Sequence, residues 1–175
     1  MKNNLNAKRE DPPASRPHFP QGYMSAKDIQ GKLPWSYVQE RMQTARNCWI
    51  VTATPEGKPS ATPVWGVWLG ERLYFDGSPQ TRRGRNIAAN PQVAVHLESG
   101  DSAVMLEGEA FIYNRPPERA LAERIAAAYR EKYAQDGYAP QAEQWDEEGL
   151  FQFTPHKVIA WTNFIKDPTR WILKP

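Results

Sequence analysis

Two turn signals confine the chain between Cys48 and Asp76 to antiparallel strands. Residues 48–54 are rich in β-formers and stop at Pro55-Glu56-Gly57-Lys58, a strong turn sequence. Residues 59–69 return, and Gly70-Glu71 closes a tight hairpin into residues 72–76. Connections this short cannot hold the crossover that parallel strands require. Pro63 inside the second strand lacks a ladder donor, so it belongs at an edge or a bulge and leaves neighbouring backbone groups free to meet a ligand.

The next segment is the one that could carry chemistry. Ser78-Pro79-Gln80-Thr81-Arg82-Arg83-Gly84-Arg85-Asn86 places two hydroxyls and three arginines within one loop and one helical turn. A helix start presents free N–H groups and the positive end of the dipole, so Ser78, Thr81, Arg82 and Arg83 could seat a phosphate. The same residues also suit a capped surface helix with a solvated basic face. The local pattern leaves both readings open.

After Asn90-Pro91, residues 93–97 alternate as a half-buried strand. Residues 103–113 make a long strand with Gly108 midway, a site for a bulge or a barrel corner. Helices are expected over 34–46, with Trp35, Val38, Met42 and Ala45 in one stripe, and from Pro116-Pro117-Glu118 onward, with Leu121, Ile125, Tyr129 and Tyr133 in another. Residues 136–148 are polar and acidic, as in a surface loop, and short strands are expected at 150–153, 158–162 and 170–173. Six or seven short strands joined by hairpins, with few helices, predict a mainly β fold: an antiparallel β-barrel with peripheral helices. Residues 1–33, with Pro12, Pro13, Pro17 and Pro20, read as an irregular, partly mobile arm, and 34–175 as a single domain.

Several function classes lose support at once. A net charge of +2 gives no footprint for nucleic acid. The single cysteine, Cys48, excludes an intrachain disulfide and a cysteine-cluster metal site, and its place in an apolar strand suits a buried structural thiol. His18, His96 and His156 share no ligand spacing, so no metal site is expected. No apolar run reaches membrane-spanning length, and the first residues lack the apolar stretch of a signal peptide, which makes the cytoplasm the expected location, without membrane partners. No nucleophile or acid–base constellation is evident: Glu107 and Glu109 share one strand face and read as solvated. Trp65, Trp68, Trp161 and Trp171 fall in expected strands of a barrel with limited interior, so several should lie outside, where a second copy can cover them.

Taken in order, these residues resemble the split β-barrel flavoproteins related to pyridoxamine 5'-phosphate oxidase. Val51-Thr52-Ala53-Thr54-Pro55-Glu56-Gly57-Lys58-Pro59 resembles the family's first hairpin, Ala61-Thr62-Pro63-Val64-Trp65-Gly66-Val67-Trp68 its second strand, and Leu73-Tyr74-Phe75 its third. Thr81-Arg82-Arg83 followed by Asn86-Ile87 and Asn90-Pro91 resembles its phosphate element. Gly108-Glu109-Ala110 and Thr169-Arg170-Trp171 are similar to the deazaflavin (coenzyme F-420) branch. The resemblance implies a split antiparallel barrel of FMN-binding type and a homodimer with FMN, or alternatively the deazaflavin, at the subunit interface. It implies Thr81, Arg82 and Arg83 at the phosphate, Thr62, Pro63, Val64 and Trp65 along the ring, and Arg170 and Trp171 closing the site from the other subunit. The slots of the oxidase's strand-two arginine and substrate lysine fall at Ala61 and Gly66, so pyridoxamine 5'-phosphate is not the expected substrate. The implied activity is hydride transfer to or from a small organic molecule; the alternative is a non-catalytic protein that sequesters a flavin or haem.

Overall fold

The computed structural model describes residues 10–23 and 30–174; the remainder of the expected arm, 1–9 and 24–29, lies outside the described residues. In chain order the elements are β1 (Ala14–Ser15), α1 (Trp35–Thr44), β2 (Cys48–Ala53), β3 (Pro59–Val64), β4 (Gly66–Leu69), β5 (Arg72–Asp76), α2 (Arg82–Ala89), β6 (Gln92–His96), β7 (Ala103–Ile112), α3 (Arg119–Tyr133), β8 (Leu150–Trp161) and β9 (Thr169–Ile172). The β2–β3 pairing follows the alternation of Cys48, Ile50 and Thr52 inward against Trp49, Val51 and Ala53 outward. The β4–β5 hairpin turns through Gly70 and Glu71, both at positive φ (57° and 62°), the pair of conformations a two-residue turn of this hand demands.

The strands form one antiparallel sheet ordered β1-β9-β8-β7-β6-β2-β3, with β5 pairing both β8 and β4. The path from β2 through β6, β7, β8 and β5 to β4 comes back to β2 only by the covalent step from β4 to β3 at Trp65. The fold is therefore sheet-dominated and antiparallel with peripheral helices, as expected, but its ladder is not closed into a barrel. The expected single strand over 59–69 is two strands. The backbone groups freed at Trp65 are satisfied from α3: the Tyr129 hydroxyl donates to the Trp65 carbonyl at 3.3 Å, and the Gly66 N–H donates to the Tyr133 hydroxyl at 3.0 Å.

Other expectations shift with the pairing. The two strands expected at 150–153 and 158–162 are one, β8, because a register shift at Glu107/Gly108 skips His156 and sets Pro155 beside the bulge. Gly108 is required there, since a Cβ would lie 2.2 Å from the Thr154 carbonyl oxygen. Part of the arm is ordered as β1, which pairs with β9. The acidic stretch is not all surface, for Ala142 and Trp145 in a short 3-10 turn are buried.

Two apolar clusters result. The first lies inside the sheet, under α1 and α2, and contains Trp35, Ile50, Phe75, Phe153 and Trp171. The second lies outside β4 and β5, where α3 and the 142–145 turn bring Ile125, Tyr129, Tyr133 and Trp145 against Val67 and Tyr74. Cys48 belongs to the first, and burial pushes its thiol up to about 11, as suits a structural role.

Candidate functional site

The start of α2 is organised by Thr81. Its hydroxyl accepts from the Gly84 N–H at 3.1 Å and donates to the Ser78 carbonyl at 2.9 Å, which makes it the N-cap. The Ser78 hydroxyl accepts from the Gln80 N–H at 3.1 Å. Two amides at the tip, those of Arg82 and Arg83, have no partner among the described residues. The exposed Arg82 guanidinium reaches over β3 and donates to the Pro59 carbonyl at 3.3 Å. Free amides, a dipole end and an exposed guanidinium fit a phosphate.

Arg83 departs from the expected exposure. Helical spacing puts Arg83, Gly84, Asn86 and Ile87 on the face of α2 turned to the sheet, and Arg83 is only 9% exposed. Its guanidinium stacks near Phe75 and Phe151, with centroids at 5.5 and 5.7 Å, and one nitrogen lies 3.4 Å from the Asp76 carbonyl. Burial lowers its pKa, and Asp76 works against that shift. Only its amide points to the seat. Asn86 fixes the same face by donating to Thr52 Oγ1 at 2.9 Å.

The strand residues divide by parity. Thr62 and Val64 stand opposite Ile50 and Cys48 on the inner face, whereas Pro63 stands opposite Trp49 on the outer one. The expected edge position of Pro63 holds, since β3 ends the strand order. Trp65 is engaged within the chain: its ring stacks on Tyr133 (4.7 Å, 11°), and the Arg46 guanidinium lies 5.3 Å from its centroid. Trp171 is 0% exposed and packs edge-on against Trp35 at 5.6 Å, so its ring faces the core rather than a partner's cofactor. Trp68 is also buried. Arg170 is half-buried and its Nε donates to Ser15 Oγ at 3.2 Å, holding the arm. The signal missed for Trp171 was its strand parity, shared with the buried Thr169 and Leu173.

The structure adds an outward surface that was not foreseen. Paired positions Pro63, Trp49, His96, Met105 and Ile159 run as a row across β3, β2, β6, β7 and β8. None is fully buried, Met105 is 36% exposed, and among the described residues no helix covers the row. His96 stacks flat on Trp49 (6.1 Å, 1°), and its Nδ1 lies 2.9 Å from the Leu97 carbonyl. A carbonyl only accepts, so this contact places a proton on Nδ1, and in the neutral ring Nε2 then has the lone pair. Beside the row is a cleft of about 300 Å³ lined by Val51, Ala53, Pro59, Ala94, Gly108 and His156. Its Pro59 edge is the residue that Arg82 reaches. The phosphate-fitting end of α2 and an apolar cleft are thus adjacent.

The sequence profile of the pyridoxamine 5'-phosphate oxidase family matches residues 36–162. Similar solved structures include a conserved hypothetical protein of Mycobacterium tuberculosis, with a TM-score of 0.63 and 20% identity, covering 79% of this chain and 88% of that one. An F-420 reductase aligns with a TM-score of 0.53 and 20% identity over 69% of this chain and 94% of that one. A haem storage protein of Vibrio cholerae aligns with a TM-score of 0.52 and 21% identity over 69% and 88%. At these identities the likeness is one of fold. No curated protein matches the chain.

Proposed function

The chain belongs to the pyridoxamine 5'-phosphate oxidase family, and from that premise we propose a flavin- or deazaflavin-dependent oxidoreductase that works as a cytoplasmic homodimer. The carrying observation is the adjacency of the free α2 amides and Arg82 to the uncovered apolar sheet face. The Arg82 and Arg83 amides, the Arg82 guanidinium and Ser78 would hold the phosphate of FMN or of coenzyme F-420. Pro63 and the cleft beside it would lie along the ring, and a second copy laid on the row from Pro63 to Ile159 would exclude water. The bound cofactor supplies hydride transfer with a small organic substrate. The residues at Ala61 and Gly66 offer no cation to a substrate phosphate, and the Gly66 carbonyl is taken by Lys132 Nζ at 2.9 Å. A substrate other than pyridoxamine 5'-phosphate follows. Fluorescence titration with each cofactor, paired with sedimentation, tests this: a dimer with one saturable site per subunit is expected, and folded protein that binds neither rejects it.

His96 supports a second reading, haem sequestration, because a half-buried imidazole stacked on a tryptophan, with Nδ1 engaged by a carbonyl, could hold a haem iron through Nε2. Haemin should then give a Soret shift that is lost in His96→Ala.

A further inference from the structure

β5 shows opposite chemistry on its two sides. Leu73 and Phe75 enter the inner cluster, close to Arg83, while Arg72 and Tyr74 face outward toward α3. On that outer side lies the largest of the clefts described, a groove of about 740 Å³ between the β4–β5 turn, the start of α3 and Gln152 of β8. That volume is in the range of small-molecule sites. The groove is separate from the α2 seat, since the sheet lies between them.

The groove's polar lining is dominated by two arginines. Arg46 pairs with Asp136, and Arg119 pairs with Glu143 and Asp146. Arg72 and Arg124, which both line the groove, form no ion pair with a carboxylate among the described residues. Both bear on the same hydroxyl: Tyr74 is 4% exposed, burial raises its pKa, and Arg72 and Arg124 pull it back. Tyr74 stands opposite Gln152, whose amide is oriented by the Tyr113 hydroxyl donating to its Oε1 at 3.0 Å. Glu118 sits at the rim and offsets one of the two cations, leaving the groove net positive. Leu69 and Leu121 supply apolar wall. Two guanidiniums against a single carboxylate, a buried phenol and an apolar wall together select an anion carried on a compact apolar body.

We propose that this groove is a second ligand site, which takes a small organic anion, a carboxylate or phosphate monoester on an aromatic or aliphatic body, between Arg72 and Arg124. The site is independent of any cofactor at α2. Calorimetric titration of the whole protein with benzoate and with phenyl phosphate tests it, and the tighter probe identifies the preferred anion. Saturable binding of at least one probe is expected, weakened roughly tenfold to a hundredfold in the Arg72→Gln/Arg124→Gln double variant. Ala120→Trp, which fills the groove from the exposed start of α3 and leaves both charges, should block the same binding. Circular dichroism establishes that each variant is folded. Absence of saturable binding to either probe overturns the proposal. Binding that survives both variants, or that disappears instead in Arg82→Gln, also overturns it by assigning the anion to the α2 seat.

Discussion

The outer side of the sheet is finished in two different ways. Over β4 and β5 the chain supplies its own cover, with α3 and Trp145 sealing Val67 and Tyr74. Over β2, β3, β6 and β7 the described residues supply none, and Trp49, His96 and Met105 stay partly open in a row. The covered side is completed by local means, a helix whose stripe faces inward and whose tyrosines also repair the break at Trp65. The open side is the face on which the proposed second copy would lie. Buried aromatics therefore mark the half covered by the chain's own elements, and half-buried aromatics mark the half left open among the described residues.

The sharpest way to break this contrast is to open the covered side. Trp145→Ala should cost about 3–5 kcal/mol of stability in urea unfolding, the range for removing a large buried side chain. Trp145→Phe should cost far less, because the indole nitrogen has no hydrogen-bond partner to lose. On the open side, Val51→Arg should leave a monomer's fold within about 0.5 kcal/mol, as expected for surface substitutions. The same charge buried under a second copy should weaken the dimer by about 2–4 kcal/mol in sedimentation. A Val51→Arg protein that remains dimeric removes this face from the interface.

Smaller effects separate the two faces of α2. Arg82→Ala should weaken cofactor binding by about 1.5–3 kcal/mol with little change in melting temperature, as for loss of a hydrogen bond to a charged group. Arg83→Ala should instead lower the melting temperature, since it empties a buried place against Phe75 and Phe151. The gentlest probe is pH. Burial pushes the Tyr133 hydroxyl up to about 12 from its ordinary value of 10.0. The folded state then holds that proton more tightly than the unfolded one, so the stabilisation is whole below 10 and is lost as pH rises through about 12. Denaturant midpoints measured between pH 9 and 12 should fall, and Tyr133→Phe should flatten the decline.

The legible parts of this fold were those with local grammar. The alternation through Cys48, Ile50 and Thr52, the Gly70-Glu71 turn and the Thr81 cap each follow from neighbouring residues. The break at Trp65 was not legible, because it depends on two tyrosines more than sixty positions away. Arg83 was misplaced for a different reason. Charge argued for solvent, and only the helical phase shared with Asn86 and Ile87 shows that the guanidinium turns inward. Trp145 was hidden by its acidic neighbours, although a lone tryptophan in such a stretch was itself a signal. The outward row needed the register of five strands, which no single segment contains.

The placement of β8 has a consequence for how the molecule can be made. This one strand pairs with β5, β7 and β9, yet it begins only at Leu150. A nascent chain halted at residue 149 can form the β2–β3 hairpin and add β6 and β7, but β5 has no neighbour other than β4. Until β8 emerges from the ribosome, Leu73 and Phe75 have no strand to close over them. In synthesis from the amino end, the emergence of β8 therefore joins both clusters in one step, and the interval before it leaves their apolar residues open to capture by chaperones.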